Sequence, residues 1–198
     1  MQPSKNRKLI LGSTSAYRRE LLERLHVPFT VESPHVDETP LAGENPASLA
    51  QRLALAKAMA VADRFAQAIV IGSDQVADLD GLPLGKPGTH ERAVLQLQQM
   101  SGKVVIFQTA VAVVCKESGF QQQSLAAVRV KFRNLSAAEI ENYLRAEEPY
   151  DCAGSAKSEG LGIALLESIE NDDPTALVGL PLIRTATMLR SAGLDLLA

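Results

Sequence analysis

Residues 9 to 19 read Leu-Ile-Leu-Gly-Ser-Thr-Ser-Ala-Tyr-Arg-Arg, an apolar strand that passes through a hydroxyl-rich turn into a helix with two arginines in its first turn. A helix N-terminus carries roughly half a positive charge and unpaired N–H groups, so cations are disfavoured there and an anion is favoured. The hydroxyls of Ser13, Thr14 and Ser15, the helix N–H groups and the forked donors of Arg18 and Arg19 together make a phosphate-binding corner. A solvated surface position is the commoner fate of any one arginine. Arg18 departs from it, because Leu21, Leu22 and Leu25 follow at i+3, i+4 and i+7 and put it on the stripe the helix must bury.

Acids and further cations complete the set. Asp74 follows the apolar run Ala68–Gly72 and is expected at the carboxyl end of a buried strand, where open α/β folds place their ligands. A turn aspartate bonding its own backbone is equally compatible with that position. Asp37 and Glu38, bracketed by Pro34 and Pro40, offer two more carboxylates on a stiff segment, and oxygen-rich sites of this kind hold Mg²⁺ or Mn²⁺. Lys57 falls on the apolar side of a long helix, where an unpaired ammonium is costly, although its stem could snorkel to water. Lys86, in Gly85-Lys86-Pro87, sits at a glycine hinge that could bring its amine to a ligand or leave it a surface turn lysine. The Gly81 to Lys86 spacing is one residue short of a P-loop and lacks the following Ser or Thr. His26, His35 and His90 have no metal-ligand spacing. Cationic donors together with carboxylates that can hold a divalent metal suit phosphoanhydride hydrolysis.

The elements that must position these residues alternate in type. Strand 8–12 and helix 16–26 are followed by a strand over 28–32 and a loop over 33–40. Asn45 and Pro46 supply an N-cap and a first-turn proline for an alanine-rich helix ending near Phe65. The run 68–72 is a strand buried on both faces that stops at Ser73, and Asp80-Gly81 turns a hairpin within 76–84. Thr89 caps a helix to Met100 that Gly102 closes. Stretches 103–116 and 121–133 form a second, antiparallel hairpin. Ser136 and Glu139 make a capping box for helix 137–146. A glycine- and serine-rich loop over 153–162, a strand over 163–170, a turn at 171–174 and a helix near 180–192 complete the chain. Crossover helices mixed with hairpins predict an α/β fold with a mixed sheet.

Composition narrows the function classes. The 198 residues are 46% hydrophobic and 22% charged, ordinary values for a globular chain of one compact unit, and the net charge of −3 gives no basic field for nucleic acid. Aromatics make up only 4%, with no Trp, too few for a base-stacking platform. Two cysteines, Cys115 and Cys152, make a disulfide or zinc site improbable. The opening Met-Gln-Pro-Ser-Lys-Asn-Arg-Lys lacks a signal-peptide core, no apolar run reaches the ~20 residues of a membrane helix, and the expectation is a cytoplasmic protein.

The motifs Leu9-Ile-Leu-Gly-Ser-Thr-Ser-x-x-Arg-Arg19, Val36-Asp-Glu-Thr39, Gly72-Ser-Asp-Gln-Val76, Gly85-Lys-Pro87, Cys152-Ala-Gly-Ser155, Lys157-Ser-Glu-Gly160 and Val178-Gly-Leu-Pro181 resemble, in this order, the Maf family of nucleoside triphosphate pyrophosphatases. The resemblance runs nearly end to end, over one unit spanning 1–198. It implies cleavage between the α and β phosphates to a monophosphate and pyrophosphate with a divalent cation (Mg²⁺, Mn²⁺ or Co²⁺). It also implies a mixed sheet with flanking helices in two lobes around a central cleft, and a homodimer. By the same resemblance Asp74 activates water and shares a metal with Glu38, while Ser13, Arg18, Lys57 and Lys86 bind phosphate. Asp37 and Arg19 are left open between functional and structural roles.

Tyr17, Gln75 and Glu159 occupy positions that differ between Maf subfamilies, and here they resemble the 7-methyl-GTP pyrophosphatases rather than the enzymes for dTTP and UTP. N7-methylguanine carries a delocalised positive charge, which the face of Tyr17 would attract by roughly 0.5–2 kcal/mol. Glu159 could accept from the guanine N1–H and exocyclic amine. Tyr17 stands where those relatives have Trp, and Ala16 where Pro is usual, which implies weaker stacking and a looser substrate range. The alternatives are a dTTP/UTP-type pyrophosphatase and a nucleotide-binding regulator of cell division without turnover. The enzyme reading is linked to keeping modified nucleotides out of nucleic acid, with a possible tie to cell-division arrest.

Overall fold

Every backbone group of a buried strand needs a partner, and in this chain one long strand finds its partners in segments from across the sequence. The computed structural model describes residues 7–197. Strands β1 (Leu9–Gly12), β2 (Phe29–Val31), β3 (Ile69–Leu79), β4 (Leu82–Leu84), β5 (Val104–Cys115), β6 (Phe120–Phe132) and β7 (Leu166–Glu170) form one mixed sheet. Its order is β2-β1-β3-β5-β6-β7, with β4 also on β3. The β2-β1-β3 pairs are parallel and the rest antiparallel.

Helices α1 (Ala16–Glu23), α2 (Pro46–Ala62), α3 (His90–Met100), α4 (Ala137–Glu147) and α5 (Leu182–Ser191) flank the sheet. The expected caps are present: Asn45 Oδ1 accepts from Ser48 N at 2.8 Å, Thr89 Oγ1 accepts from Arg92 N at 3.3 Å, and Ser136 and Glu139 form the capping box. Apolar packing divides into three clusters. Leu49, Leu53, Ala54, Ala58 and Val61 of α2 cover one face of β1, β3 and β5. Leu21 and Leu22 of α1 and Met188 and Leu189 of α5 cover the other. At the far end, Leu97 and Met100 of α3 and Ile140, Tyr143 and Leu144 of α4 pack on the remainder of β3, β5 and β6. The result is two lobes on one sheet.

Two expectations are corrected. The strand expected to end at Gly72 runs on to Leu79, because β5 pairs with β3 without interruption from Val70 to Asp78. Its polar side chains do not stop it either, since each finds a partner: Ser73 Oγ donates to Ala110 O, Asp74 pairs with Lys57, and Gln75 Nε2 reaches Ala176 O. The strand expected over 163–170 begins only at Leu166, and Leu161–Leu165 winds as a 3₁₀ turn that buries Leu165 in the far core.

The β3 strand positions the site through a gap along one edge. With β5 on one edge, β1 and β4 share the other; β1 pairs with β3 only as far as Gly72, and β4 pairs with it only from Ala77 onward. Residues 73–76 therefore have no strand neighbour there.

Candidate active site

A cleft of about 850 Å³ opens at that gap, and Asp74, Gln75 and Val76 line it. Successive side chains of a strand point to opposite faces. Asp74 accordingly points toward α2, while Gln75 and Ser73 point toward the segment 176–179. Side chains from both faces of the sheet meet around its unpaired edge.

The helix α2 reaches Asp74 because two glycines let it lie close on the sheet. Gly12 and Gly72 are register partners beneath it, and a Cβ on Gly72 would stand 2.3 Å from Ala54 O and 2.5 Å from Ala58 N. This approach sets Lys57, 5% exposed, against Asp74, 6% exposed. Lys57 Nζ lies 2.7 Å from Asp74 Oδ1 and 2.8 Å from Glu38 Oε1. The buried lysine is paired twice and does not snorkel, as the cost of an isolated interior ammonium requires.

Glu38 arrives on a loop with little buried surface of its own. Arg52, on α2, holds that loop with a fork: its Nε donates to Glu44 Oε1 at 2.6 Å and its Nη2 to Glu44 Oε2 at 2.8 Å. The same Nη2 donates to Thr39 O at 3.1 Å. Bonding to Arg52 and to Leu41 N–H holds the Glu44 carboxyl down at about 2. Asp37 turns away to accept from Thr39 N at 2.9 Å, a turn-forming role.

On the opposite wall, Ser15 caps α1 and Ser13, 3% exposed, accepts from Ser15 N at 3.2 Å. Arg18 Nε donates to Gly179 O at 2.9 Å and its Nη1 to Ser13 Oγ at 3.4 Å. Gly179 is at φ +121°, a conformation that favours glycine, and its carbonyl also accepts from Ser73 Oγ. Burial lowers the Arg18 pKa, and the charges of Asp74 and Glu38 oppose that effect. Arg19 points elsewhere, to Glu23 at 3.2 Å on the exposed helix face.

Tyr17, Glu159 and Lys86 complete the lining. Burial, followed by the neighbouring Cys152, pushes the Tyr17 phenol above its ordinary pKa, so the ring stays neutral. Lys157 Nζ stands 5.9 Å from its centroid, at the outer limit of cation–π range. Gln75 Nε2 donates to Thr109 Oγ1, Ala176 O and Leu177 O at 2.9–3.0 Å. Those carbonyls fix the amide orientation and leave Oε1 as the acceptor Gln75 can offer a ligand. Lys86 is exposed on the rim, where its loop is tied down by Gly154 N to Gly85 O and by Gly88 N to Tyr150 O.

Nine residues singled out from sequence, Ser13, Tyr17, Arg18, Glu38, Lys57, Asp74, Gln75, Lys86 and Glu159, thus line one cleft. Sequence reasoning passed over Asp151 and the Cys152 thiol beside it. Burial raises that thiol to about 12. It also passed over Arg52 and the fully buried Asp173, which accepts from Arg184 N and so holds the segment leading to Gly179. An Asn-Asp-Asp-Pro turn was the only signal for Asp173, and none marked Arg52.

The chain as a whole is similar in sequence to known proteins. The profile of the family described as Maf-like protein matches residues 8–192. A protein of Polaromonas sp. named 7-methyl-GTP pyrophosphatase is 76% identical over 193 residues, covering 98% of this chain and 88% of its own. Proteins of the same name from Albidiferax ferrireducens and Methylobacillus flagellatus are 71% and 55% identical; each match covers 96% of this chain, and 96% and 98% of the respective relatives. Matched along nearly its whole length by the family profile and by these relatives, the chain belongs to the Maf family.

Proposed function

We propose that this chain hydrolyses 7-methyl-GTP, and related modified nucleoside triphosphates, to the monophosphate and pyrophosphate. The observation that carries this reading is the buried Lys57 ammonium bridging Asp74 and Glu38 on the wall of a nucleotide-sized cleft, opposite Arg18. The names of the relatives support the substrate.

In the proposed reaction Arg18, Lys57 and Lys86 hold the phosphates, with Ser13 fixing the Arg18 fork. Asp74 orients a water in line with the α-phosphorus and takes its proton as the new P–O bond forms. The bond from the α-phosphorus to the bridging oxygen breaks, and pyrophosphate leaves with the bonding pair, its charge stabilised by the three cations. Asp74 and Glu38 also fit a divalent metal. Both carboxylates already lie within 2.8 Å of one cationic centre, and Mg²⁺ commonly takes one or two carboxylates plus substrate oxygens and water. Among the described residues no cluster of three or more His, Cys, Asp or Glu offers a fuller protein cage. When bound, such a metal would neutralise phosphate charge and polarise water.

For the base, a positively charged N7-methylguanine would stack on Tyr17 and donate to Glu159 and Gln75 Oε1. The working unit is proposed to be the whole 1–198 chain, as a homodimer in the cytoplasm. Among the described residues no helix is long and apolar enough to cross a membrane.

The test is a panel of canonical and methylated triphosphates with Mg²⁺, Mn²⁺ or Co²⁺, with products separated chromatographically. Pyrophosphate and 7-methyl-GMP are expected. Orthophosphate release would overturn the reaction, and best turnover on dTTP or UTP would overturn the base assignment. Asp74→Asn should lose about 10³-fold or more in turnover while still binding nucleotide. A regulator without catalysis would show no turnover to lose.

A further inference from the structure

One short turn is fastened to α4 by three bonds. It runs from Lys157 to Leu161 and carries Glu159, a carboxylate on the cleft wall. Lys157 N donates to the Tyr143 hydroxyl at 3.0 Å, Lys157 Nζ pairs with Glu147 Oε1 at 2.9 Å, and Leu161 N donates to Glu147 Oε2 at 2.7 Å. Glu147, the last residue of α4 and only 15% exposed, therefore grips the turn at both ends with its two oxygens. Lys157 first, and then the Leu161 N–H, hold its carboxyl below the usual range.

The turn is shaped around that carboxylate. A Cβ on Gly160 would lie 2.7 Å from both Glu147 oxygens, so a larger residue there would displace that carboxylate from its present position. The Lys157 ammonium is at the same time 5.9 Å from the Tyr17 ring centroid. Glu147 supplies the counter-charge of that ammonium; without it, an uncompensated cation beside the Tyr17 face would repel a cationic base and pair with Glu159. The phosphate chemistry uses none of these contacts.

We propose that Glu147 is a positioning residue for base selection: it fixes the turn that presents Glu159 and restrains the Lys157 ammonium, so that an N7-alkylated, cationic purine is preferred over its neutral counterpart. The inference rests on the 7-methyl-GTP reading above.

The test is steady-state kinetics of Glu147→Gln and Glu147→Ala on 7-methyl-GTP and GTP, with melting temperatures alongside. The expected result is a KM for 7-methyl-GTP raised about tenfold, the size of one charge-assisted hydrogen bond lost, with a much smaller change in kcat. The preference for 7-methyl-GTP over GTP should fall by a similar factor. A merely structural role would weaken both substrates alike. If Glu147→Ala fails to fold, the isosteric Glu147→Gln carries the test alone. A folded Glu147→Gln with wild-type preference overturns the proposal. If the wild type prefers another base, the substrate reading fails, and a shift in base preference in Glu147→Gln still tests the positioning role separately.

Discussion

Replacing Gly72 by alanine tests whether close packing of α2 on the sheet is what brings Lys57 to Asp74. The added Cβ would stand 2.3 Å from Ala54 O and 2.5 Å from Ala58 N, about 0.7 Å inside the 3.0 Å that real contacts respect. Both obstacles are helix backbone, so no side-chain rotation relieves them and α2 must move away. A shift of that size would stretch the 2.7 Å bond from Lys57 to Asp74 beyond good hydrogen-bond geometry. Overpacking of this kind costs about 1–3 kcal/mol, or about 3–9 °C in melting temperature for a chain of this size. Misplacing a catalytic group by about 1 Å can cost about 100-fold in turnover. Gly12→Ala is the internal comparison, because its nearest atoms are all at 3.2 Å and include the movable Val61 side chain. We therefore expect Gly72→Ala to lose about 100-fold in kcat and several degrees in melting temperature, with Gly12→Ala losing far less of both. Calorimetry and pyrophosphate release measure the two effects. A Gly72→Ala protein with wild-type melting and turnover would refute the packing argument.

Two other perturbations follow from contacts around the site and in the far lobe. Arg52→Met keeps the apolar stem but removes the fork that ties Glu44 and Thr39 O to α2. The loop carrying Glu38 should loosen, and turnover should fall about tenfold with little change in melting temperature, whereas unchanged turnover would separate this loop from catalysis. The Glu139 carboxyl sits at about 2, held down by the Ser136 backbone N–H, then the Ser136 hydroxyl and then Arg133, against an ordinary 4.5. A depressed acid stabilises the fold above its unfolded pKa and loses that contribution as pH falls toward its folded one. The stability gap between wild type and Glu139→Ala should thus be constant near pH 6 and narrow from pH 4.5 toward 2. Urea unfolding at several pH values reads it, and a gap independent of pH would contradict the capping role.

Legibility in the sequence followed how local each determinant was. Caps at Asn45, Thr89 and Ser136 and the turn at Asp80-Gly81 depend on neighbouring residues, and each formed where its signal lay. The course of β3 through Ser73, Asp74 and Gln75 did not, because it is decided by partners far along the chain. Ser73 Oγ bonds Ala110 O and Gly179 O, and Gln75 bonds carbonyls at 176 and 177. Polar residues look like a strand stop only until those partners are known. The same limit explains Glu147, Arg52 and Asp173: each acts on a loop that carries a site residue or leads to one, and their own surroundings in sequence are those of ordinary surface charges.

The longer course of β3 changes how the site is understood. An aspartate at the end of a strand would share the cleft with the strand's neighbours on one side only. Asp74 instead lies inside a strand whose outer edge is bare between Gly72 and Ala77, so groups from both faces of the sheet converge on it. Lys57 and Glu38 come from the α2 side. Arg18 reaches Gly179 O, which also accepts from Ser73 on the opposite face. Cations on either side of a narrow edge can grip one phosphate chain from two directions while the edge itself keeps the acid fixed, which is what in-line attack on a phosphorus demands. On the proposed function the two glycines beneath α2 and the positive-φ glycine at 179 serve the chemistry, since they permit the backbone approaches that draw Lys57 and Arg18 to the edge.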